Sequence, residues 1–279
     1  MNIQRIAAFS ADGKGGNPAG VVLLQEPLPQ PEMESIAAEV GYSETAFAVE
    51  TGPSAWRVRY FSPESEVPFC GHATIALGAA LGERDGEGSF QLQLNDAEIS
   101  VSANRHSDGR FSATLSSPET HSRPLTASEL DETLELFGLE PDDLDSRLPP
   151  AWIHAGAGHI VLVLKDRSTL SAMSYSLDEG RQLMRRHGVV TIMLVFLEDD
   201  GSFAVRNAFA SGGVVEDPAT GAAAAAFAGY LRDRDFPHQG RLLIHQGVDM
   251  GSPSRIRVEL TDVAGSPVKV SGATHPIDE

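Results

Sequence analysis

Alternating apolar and polar positions predict that most of the chain forms β-strands. The segment Phe90-Gln91-Leu92-Gln93-Leu94 alternates strictly, which is typical of a strand with one buried face. Two apolar-rich runs, 46–49 and 56–61, flank the turn Thr51-Gly52-Pro53-Ser54 and therefore predict a hairpin. Further strands are expected at 20–24, 160–164, 191–197, 202–205, 242–245 and 256–260.

Five segments favour helix. Residues 32–40 and 177–187 are amphipathic, and residues 126–137 begin with Thr126-Ala127-Ser128-Glu129, which fits a capping box. The other two, at about 71–82 and 221–232, are nearly free of charge and rich in Ala and Gly. A helix that is apolar on all sides must be buried on all sides. The expected fold is therefore α+β, with two halves that are each a mostly antiparallel, barrel-like sheet around a central helix.

The two apolar helices belong to an internal repeat, which predicts two related domains. Four pairs of residues recur at a constant spacing of 150: Pro68 and Pro218, Gly71 and Gly221, Ala76 and Ala226, Leu81 and Leu231. We expect an N-terminal half at 1–118 and a C-terminal half at 125–263, with the junction in a proline-rich stretch. Whether the tail, 264–279, packs on the first half is left open. A cleft between two such halves is a natural small-molecule site.

Composition narrows the classes of partner. The 279 residues carry a net charge of −18, which disfavours binding to nucleic acid and to anionic membranes. The single cysteine, Cys70, excludes an internal disulfide and a site of several thiolates. The N-terminus lacks the apolar core of a signal peptide, and no apolar stretch is long enough to span a membrane. We therefore expect a cytoplasmic protein.

The starts of the two apolar helices are candidate anion-binding positions. Gly71 and Gly221 would leave backbone N–H groups unpaired and able to bind a carboxylate, although both glycines are also explained by tight packing. His72, in the first turn, is expected to be neutral and to hydrogen-bond a substrate, or else to be satisfied by nearby backbone. Asp217 reads as a helix N-cap before Pro218, and it could also face His72 across the cleft.

Glu44 is the candidate general acid/base. It lies where a loop enters an apolar strand, and partial desolvation of a carboxylate suits that role. The alternative is a glutamate on the solvent face of the strand. The aligned residue of the second copy is Ile192, so Glu44 is not part of the shared pattern.

No other motif carries a clear chemistry. Cys70 is interpreted as a small buried residue rather than a nucleophile, because a Cys and a His two residues apart do not make a dependable pair. Gly156-Ala157-Gly158 lacks the context of a dinucleotide site, and His154 and His159 are not spaced as zinc ligands. We expect neither a cofactor nor a metal.

Four blocks of sequence resemble the PhzF (phenazine biosynthesis) isomerase family. They are Asn17-Pro18-Ala19-Gly20, Ser43-Glu44-Thr45-Ala46-Phe47, the stretch from Arg59 to Thr74, and Glu216-Asp217-Pro218-Ala219-Thr220-Gly221. The resemblance implies a diaminopimelate-epimerase-like fold, a homodimer, and proton transfer on a small acidic substrate without a cofactor. It assigns catalysis to Glu44, His72 and Asp217. We expect substrate binding by a further set: Asn17, Gly71, Thr220, Gly221 and Ala222.

One residue departs from the family pattern. The phenazine-forming member, which acts on dihydro-3-hydroxyanthranilate, has a serine where this chain has Ala222. A lost hydrogen bond of this kind costs about 0.5–1.5 kcal/mol, so the natural substrate stays open. A racemase with two thiols is excluded, since only Cys70 exists. The alternatives are a non-catalytic small-acid binding protein and a hydrolase that uses Cys70.

Overall fold

The computed structural model describes residues 2–106 and 109–277. The fold is mixed α/β, with many strands and few helices. The chain divides into two compact units: unit 1 is Met1–Ser116 with Ser271–Glu279, and unit 2 is Ser117–Val270.

Unit 1 contains two helices and the first eight strands. They are β1 (Ile3–Ser10), β2 (Asn17–Leu24), α1 (Gln30–Val40), β3 (Thr45–Gly52), β4 (Ala55–Phe61), β5 (Glu66–Val67), α2 (Gly71–Asp85), β6 (Gly88–Gln93), β7 (Glu98–Arg105) and β8 (Phe111–Ser116). Strand β2 pairs with β3 in parallel, and β4 pairs antiparallel with β3 and β5 but parallel with β6. The predicted hairpin is confirmed by the pairing of β3 with β4.

Helix α2 is buried along most of its length in unit 1. All residues from His72 to Gly82 are buried, and the helix packs against β1, β2, β7 and β8. Small residues allow this approach, because a Cβ at Gly78 would lie 2.6 Å from Val101 and 2.9 Å from Ala113. The glycine therefore lets β7 and β8 lie directly on the helix.

Unit 2 contains four α-helices and the next eight strands. They are β9 (His121–Pro124), α3 (Ala127–Phe137), β10 (Ala151–His154), β11 (Gly158–Leu164), α4 (Arg167–Ser171), α5 (Leu177–Arg186), β12 (Thr191–Leu197), β13 (Phe203–Ala208), β14 (Glu216–Asp217), α6 (Gly221–Asp233), β15 (Arg241–Gln246) and β16 (Ser254–Glu259). The capping box at Thr126 and Glu129 is confirmed.

The pairing pattern of unit 2 is that of unit 1. Strand β11 pairs with β12 in parallel, and β13 pairs antiparallel with β12 and β14 but parallel with β15. Helix α6 is buried from Ala223 to Arg232, and a Cβ at Gly229 would lie 2.4 Å from Thr120. The strand register shows which residues of the two units are equivalent. Phe61 pairs with Glu66 in unit 1, and Ala208 pairs with Glu216 in unit 2, so Phe61 is equivalent to Ala208 and Glu66 to Glu216.

The last strand, β17 (Lys269–Pro276), pairs with β1 and β8. The sequence patterns did not predict this strand, nor β1, β7, β8, β9 and β10. Strands β7 and β8 do alternate, with Ile99, Val101 and Ala103 between polar residues in β7, so their signal was present in the sequence and was overlooked. Within the described residues, no helix combines the length and apolarity needed to cross a membrane.

Candidate active site

Glu44 is positioned by the end of α1 and the start of β3. Helix α1 ends at Gly41, whose φ of 72° is the left-handed conformation that turns the chain. The Glu44 carbonyl then accepts a hydrogen bond from the Gly20 amide at 3.1 Å, which holds the loop against β2. The side chain of Glu44 is 15% exposed, so its carboxylate is largely withdrawn from water while remaining accessible.

The Glu44 carboxylate lies beside His72. Its Oε2 is 3.3 Å from Nε2 of His72, and the Ser43 hydroxyl is 3.4 Å from the same nitrogen. His72 occupies the first turn of α2, where unpaired N–H groups favour negative charge nearby. The structure therefore joins, within unit 1, two of the three residues predicted to be catalytic.

Cys70 completes this group and is more than a packing residue. It is the N-cap of α2, and its Sγ lies 3.3 Å from Nδ1 and 3.9 Å from Nε2 of His72. The Cys70 carbonyl accepts a hydrogen bond from the Thr74 hydroxyl at 2.7 Å. The Thr74 hydroxyl in turn lies 2.7 Å from Tyr60 Oη, and burial raises the pKa of Tyr60. This chain of contacts fixes the start of α2 against β4.

A second polar group forms in unit 2 around Asp217. The Thr220 hydroxyl donates to the Asp217 carboxylate. Gln246 Nε2 donates to the Asp217 carbonyl at 2.7 Å, and Gln246 Oε1 accepts from the Thr220 amide at 3.3 Å. The interpretation of Asp217 as a helix N-cap is wrong, because α6 begins at Gly221 and Thr220 is the N-cap. The intervening Pro218-Ala219 turn carries the aspartate away from the helix end.

Gln246 was not found from the sequence. It is fully buried at the end of β15, and its amide joins both ends of the turn that carries Asp217. A lone glutamine at the end of an apolar strand gives a weak signal, since the partner backbone groups are 26 to 29 residues away.

An arginine–glutamate pair braces the corresponding turn in each unit. In unit 1, Arg59 donates to Glu66 at 2.6 and 2.7 Å, and this contact lowers the pKa of Glu66. In unit 2, Arg206 donates to Glu216 at 2.6 Å, and Glu216 directly precedes Asp217. The second pair is more deeply buried, with side chains that are 12% and 5% exposed.

Asn207 is a further buried polar residue that the sequence analysis did not single out. It pairs with Asp217 across β13 and β14, and neither atom of its amide bonds to any group in the described part of the chain. Its counterpart in unit 1 is Tyr60, whose hydroxyl is bonded to Thr74. The counterpart of Thr74 is Ala224, which cannot offer a hydrogen bond.

The register also corrects the residue aligned with Glu44. Thr45 pairs with Phe61 and Ile192 pairs with Ala208, so Ile192 corresponds to Thr45 and Thr191 corresponds to Glu44. Thr191 Oγ1 lies 2.7 Å from Nδ1 of His159, and burial lowers the pKa of His159 to about 3. Where unit 1 has the Glu44 carboxylate, unit 2 therefore has the Thr191 hydroxyl, which is hydrogen-bonded to a neutral histidine.

The remaining predicted binding residues fall into the same two groups. Asn17 is buried at the start of β2 and Gly71 begins α2, both in unit 1. Gly221 and the partly buried Ala222 begin α6 in unit 2. That the two groups bind one substrate stays a prediction. A groove of about 850 Å³ in unit 1, lined by Arg5, Ala79 and Arg110 among others, contains none of the candidate residues.

Comparison with known proteins assigns the class. A family model described as phenazine biosynthesis-like protein matches residues 6–278. An uncharacterized isomerase of Deinococcus radiodurans is 32% identical over 95% of this chain and 88% of its own length. The trans-2,3-dihydro-3-hydroxyanthranilate isomerase of Pseudomonas aeruginosa is 29% identical over 96% of this chain and 94% of its own.

Solved structures agree on the fold. The phenazine biosynthesis protein of the PhzF family from Bacillus anthracis has a TM-score of 0.88 at 24% identity and covers 100% of this chain and 98% of its own. Together with the names of the relatives, this supports an isomerase on a mixed α/β fold. The chain belongs to the PhzC-PhzF family of phenazine biosynthesis-like proteins. The resemblance inferred from the sequence is thereby confirmed.

Proposed function

We propose that this protein is a cofactor-independent isomerase that shifts a proton on a small carboxylate-bearing substrate. The observation that carries the proposal is the Glu44 carboxylate, which lies 3.3 Å from His72 Nε2 at the start of α2. A withdrawn carboxylate with a hydrogen-bonding imidazole beside it is a suitable general base and acid.

In the proposed reaction, Glu44 removes a proton from one carbon of the substrate, and the electron pair of that C–H bond moves into the conjugated system. Protonated Glu44 then returns the proton to another carbon, so that substrate and product are isomers. His72 and Asp217 orient the substrate and assist the proton movement. Backbone N–H groups at the starts of α2 and α6 stabilise the negative charge that develops on the substrate carboxylate.

The binding role that we propose for unit 2 rests on its ordered turn. Thr220 and Gln246 fix both ends of that turn, so Asp217 and the start of α6 are presented in a set geometry. We assign substrate contacts to Thr220, Gly221 and Ala222 there, and to Asn17 and Gly71 in unit 1.

We further propose that each unit is a barrel-like sheet around its buried helix and that the protein is a cytoplasmic homodimer. In unit 1, the pairings run from β1 through β2, β3, β4, β6, β7 and β8 to β17, and β17 pairs with β1 again. Such a closed series leaves no free edge, which supports the barrel. The family resemblance supports the dimer.

The first substrate to test is trans-2,3-dihydro-3-hydroxyanthranilate, on which the Pseudomonas aeruginosa relative is named to act. The compound would be incubated with the protein in D2O, and isomerisation and deuterium incorporation followed by NMR and mass spectrometry. Glu44→Gln is expected to lower the rate at least about 100-fold, the lower range for general acid/base catalysis. Glu39→Gln, at an exposed position of α1, is the matched control and should react like the wild type.

Full activity of Glu44→Gln would overturn the assignment of the base. Binding of the compound without isomerisation or exchange would favour the non-catalytic binding protein instead. A screen of other small enol and dienyl amino acids, with deuterium incorporation as the readout, would extend the test to other substrates.

A further inference from the structure

Three side chains of different metal-binding chemistry meet at the start of α2. Glu44, Cys70 and His72 each offer one ligand atom, and the three atoms lie within 4.8 Å of one another. The distances to His72 Nε2 are 3.3 Å from Glu44 Oε2 and 3.9 Å from Cys70 Sγ. The sequence analysis predicted no metal site, because Glu44 lies 26 residues before Cys70 and the fold alone joins them.

The spacing of these atoms is close to that of a tetrahedral zinc site. With zinc bonds of about 2.0–2.1 Å to nitrogen, 2.0–2.2 Å to oxygen and 2.3 Å to sulfur, the N···O edge is about 3.3 Å and the S···N edge about 3.6 Å. The Oε2···Nε2 distance already matches, whereas Sγ lies closer to Nδ1, at 3.3 Å, than to Nε2, at 3.9 Å. The Cys70 or His72 side chain must therefore rotate before Nε2, Oε2 and Sγ share one ion. Ser43 is exposed beside Nε2, which leaves an open side for a water ligand.

The donor set selects the kind of metal. A thiolate and an imidazole favour Zn²⁺ over Mg²⁺ and Ca²⁺, which prefer oxygen ligands. Cys70 is the N-cap of α2 and would bind Zn²⁺ as a thiolate, with release of its proton. The partial charge of about +0.5 at a helix N-terminus opposes a cation. One thiolate and one carboxylate carry two full negative charges, so attraction outweighs this repulsion.

We propose that Glu44, Cys70 and His72 form a binding site for Zn²⁺ and that bound Zn²⁺ inhibits the protein. The bound ion coordinates the Glu44 carboxylate, which is the proposed proton acceptor. It also coordinates the neighbouring ring nitrogen of His72. The binding claim stands on the geometry alone, whereas the inhibition rests on the proposed function.

Isothermal titration of the metal-free full-length protein with ZnCl2, and separately with MgCl2, tests the binding. One high-affinity Zn²⁺ per chain and no binding of Mg²⁺ are expected. Cys70→Ser is expected to weaken zinc binding at least about 100-fold, since even outer partners of metal ligands contribute 10- to 100-fold. Serine is a favoured N-cap residue, so this variant should fold, which circular dichroism would verify.

His154→Gln is the control for another place where zinc could bind. His121 and His154 face each other across β9 and β10, with ring centroids 6.1 Å apart. The high-affinity site should persist unchanged in this variant. Absence of zinc binding, binding that Cys70→Ser does not weaken, or equal binding of Mg²⁺ would overturn the metal site.

Proton exchange measured with and without ZnCl2 separates the two proposals. Zinc should inhibit the wild type, a chelator should restore the activity, and Cys70→Ser should need at least about 100-fold more zinc for the same fractional inhibition. Zinc bound through Cys70 without inhibition overturns the inhibitory role. If Glu44→Gln exchanges protons at the wild-type rate while zinc still binds through Cys70, the metal site stands and the proposed function fails.

Discussion

The two units share one strand pairing pattern but carry different polar residues at equivalent positions near the start of the buried helix. Unit 1 places Glu44, Cys70 and His72 where unit 2 has Thr191, Thr220 and Ala222. Unit 2 instead has Asp217 where unit 1 has Val67. Both copies therefore keep the arginine–glutamate pair and the helix start, while the group of Glu44, Cys70 and His72 is present in unit 1 and has no equivalent in unit 2.

Removing the arginine of the arginine–glutamate pair is expected to have the largest effect on stability, and the effect should be larger in unit 2 than in unit 1. Arg206→Met would leave the nearly buried Glu216 carboxylate without its partner, at a cost of about 3–5 kcal/mol in the free energy of unfolding. The corresponding change Arg59→Met affects a pair whose side chains are 24% and 20% exposed, so about 1 kcal/mol or less is expected. Urea unfolding of both variants measures the difference. Equal losses would show that burial does not set the strength of the pair.

The pH dependence of stability is expected to come partly from His159, which has no ionisable counterpart in unit 1. Its pKa is lowered to about 3 by burial, so the unfolded chain binds its proton more readily than the folded chain. The stabilisation is complete above pH 6.5 and falls as the pH drops toward 3. Between pH 6.5 and 5 this residue should account for a loss of about 2 kcal/mol.

His159→Asn keeps a hydrogen-bonding group toward Thr191 and removes the titration. Urea unfolding at pH 7 and pH 5 should therefore give a smaller pH difference for this variant than for the wild type. An identical pH difference in both proteins would assign the effect to other groups.

The matched positions Tyr60 and Asn207 predict opposite responses to an apolar substitution. Tyr60→Phe removes a hydroxyl bonded to Thr74 and should lower stability by about 0.5–1.5 kcal/mol. Asn207→Leu replaces an amide whose atoms have no partner among the described residues and should leave stability unchanged or raise it by about 1 kcal/mol. Thermal unfolding compares the two variants. A large loss in Asn207→Leu would mean that the amide is satisfied by ordered water.

Much of this arrangement is encoded locally and could be read from the sequence. The proline and glycine spacing located both helix starts, and the hairpin and the capping box followed from short patterns. The sequence alignment missed the equivalence of Thr191 and Glu44 by one residue, because the loops of the two copies differ in length. Only the strand register resolves such a shift.

The contacts of the candidate site could not be predicted in the same way. Glu44 meets His72 because α1, β3 and α2 pack together, and no local pattern specifies a contact 28 residues apart. The ordering of Asp217 by Gln246 depends equally on a distant strand. For the same reason the zinc-ligand set was missed, since its three members look unrelated along the chain.

The central claim is that Glu44 moves the substrate proton and that the matching position of unit 2 does not. The direct test is deuterium incorporation into trans-2,3-dihydro-3-hydroxyanthranilate by Glu44→Gln and by Thr191→Val, each normalised to the folded fraction. We expect Glu44→Gln to lose at least about 100-fold of the wild-type rate and Thr191→Val to retain it. Wild-type exchange by Glu44→Gln, or an equal loss in Thr191→Val, would contradict the account.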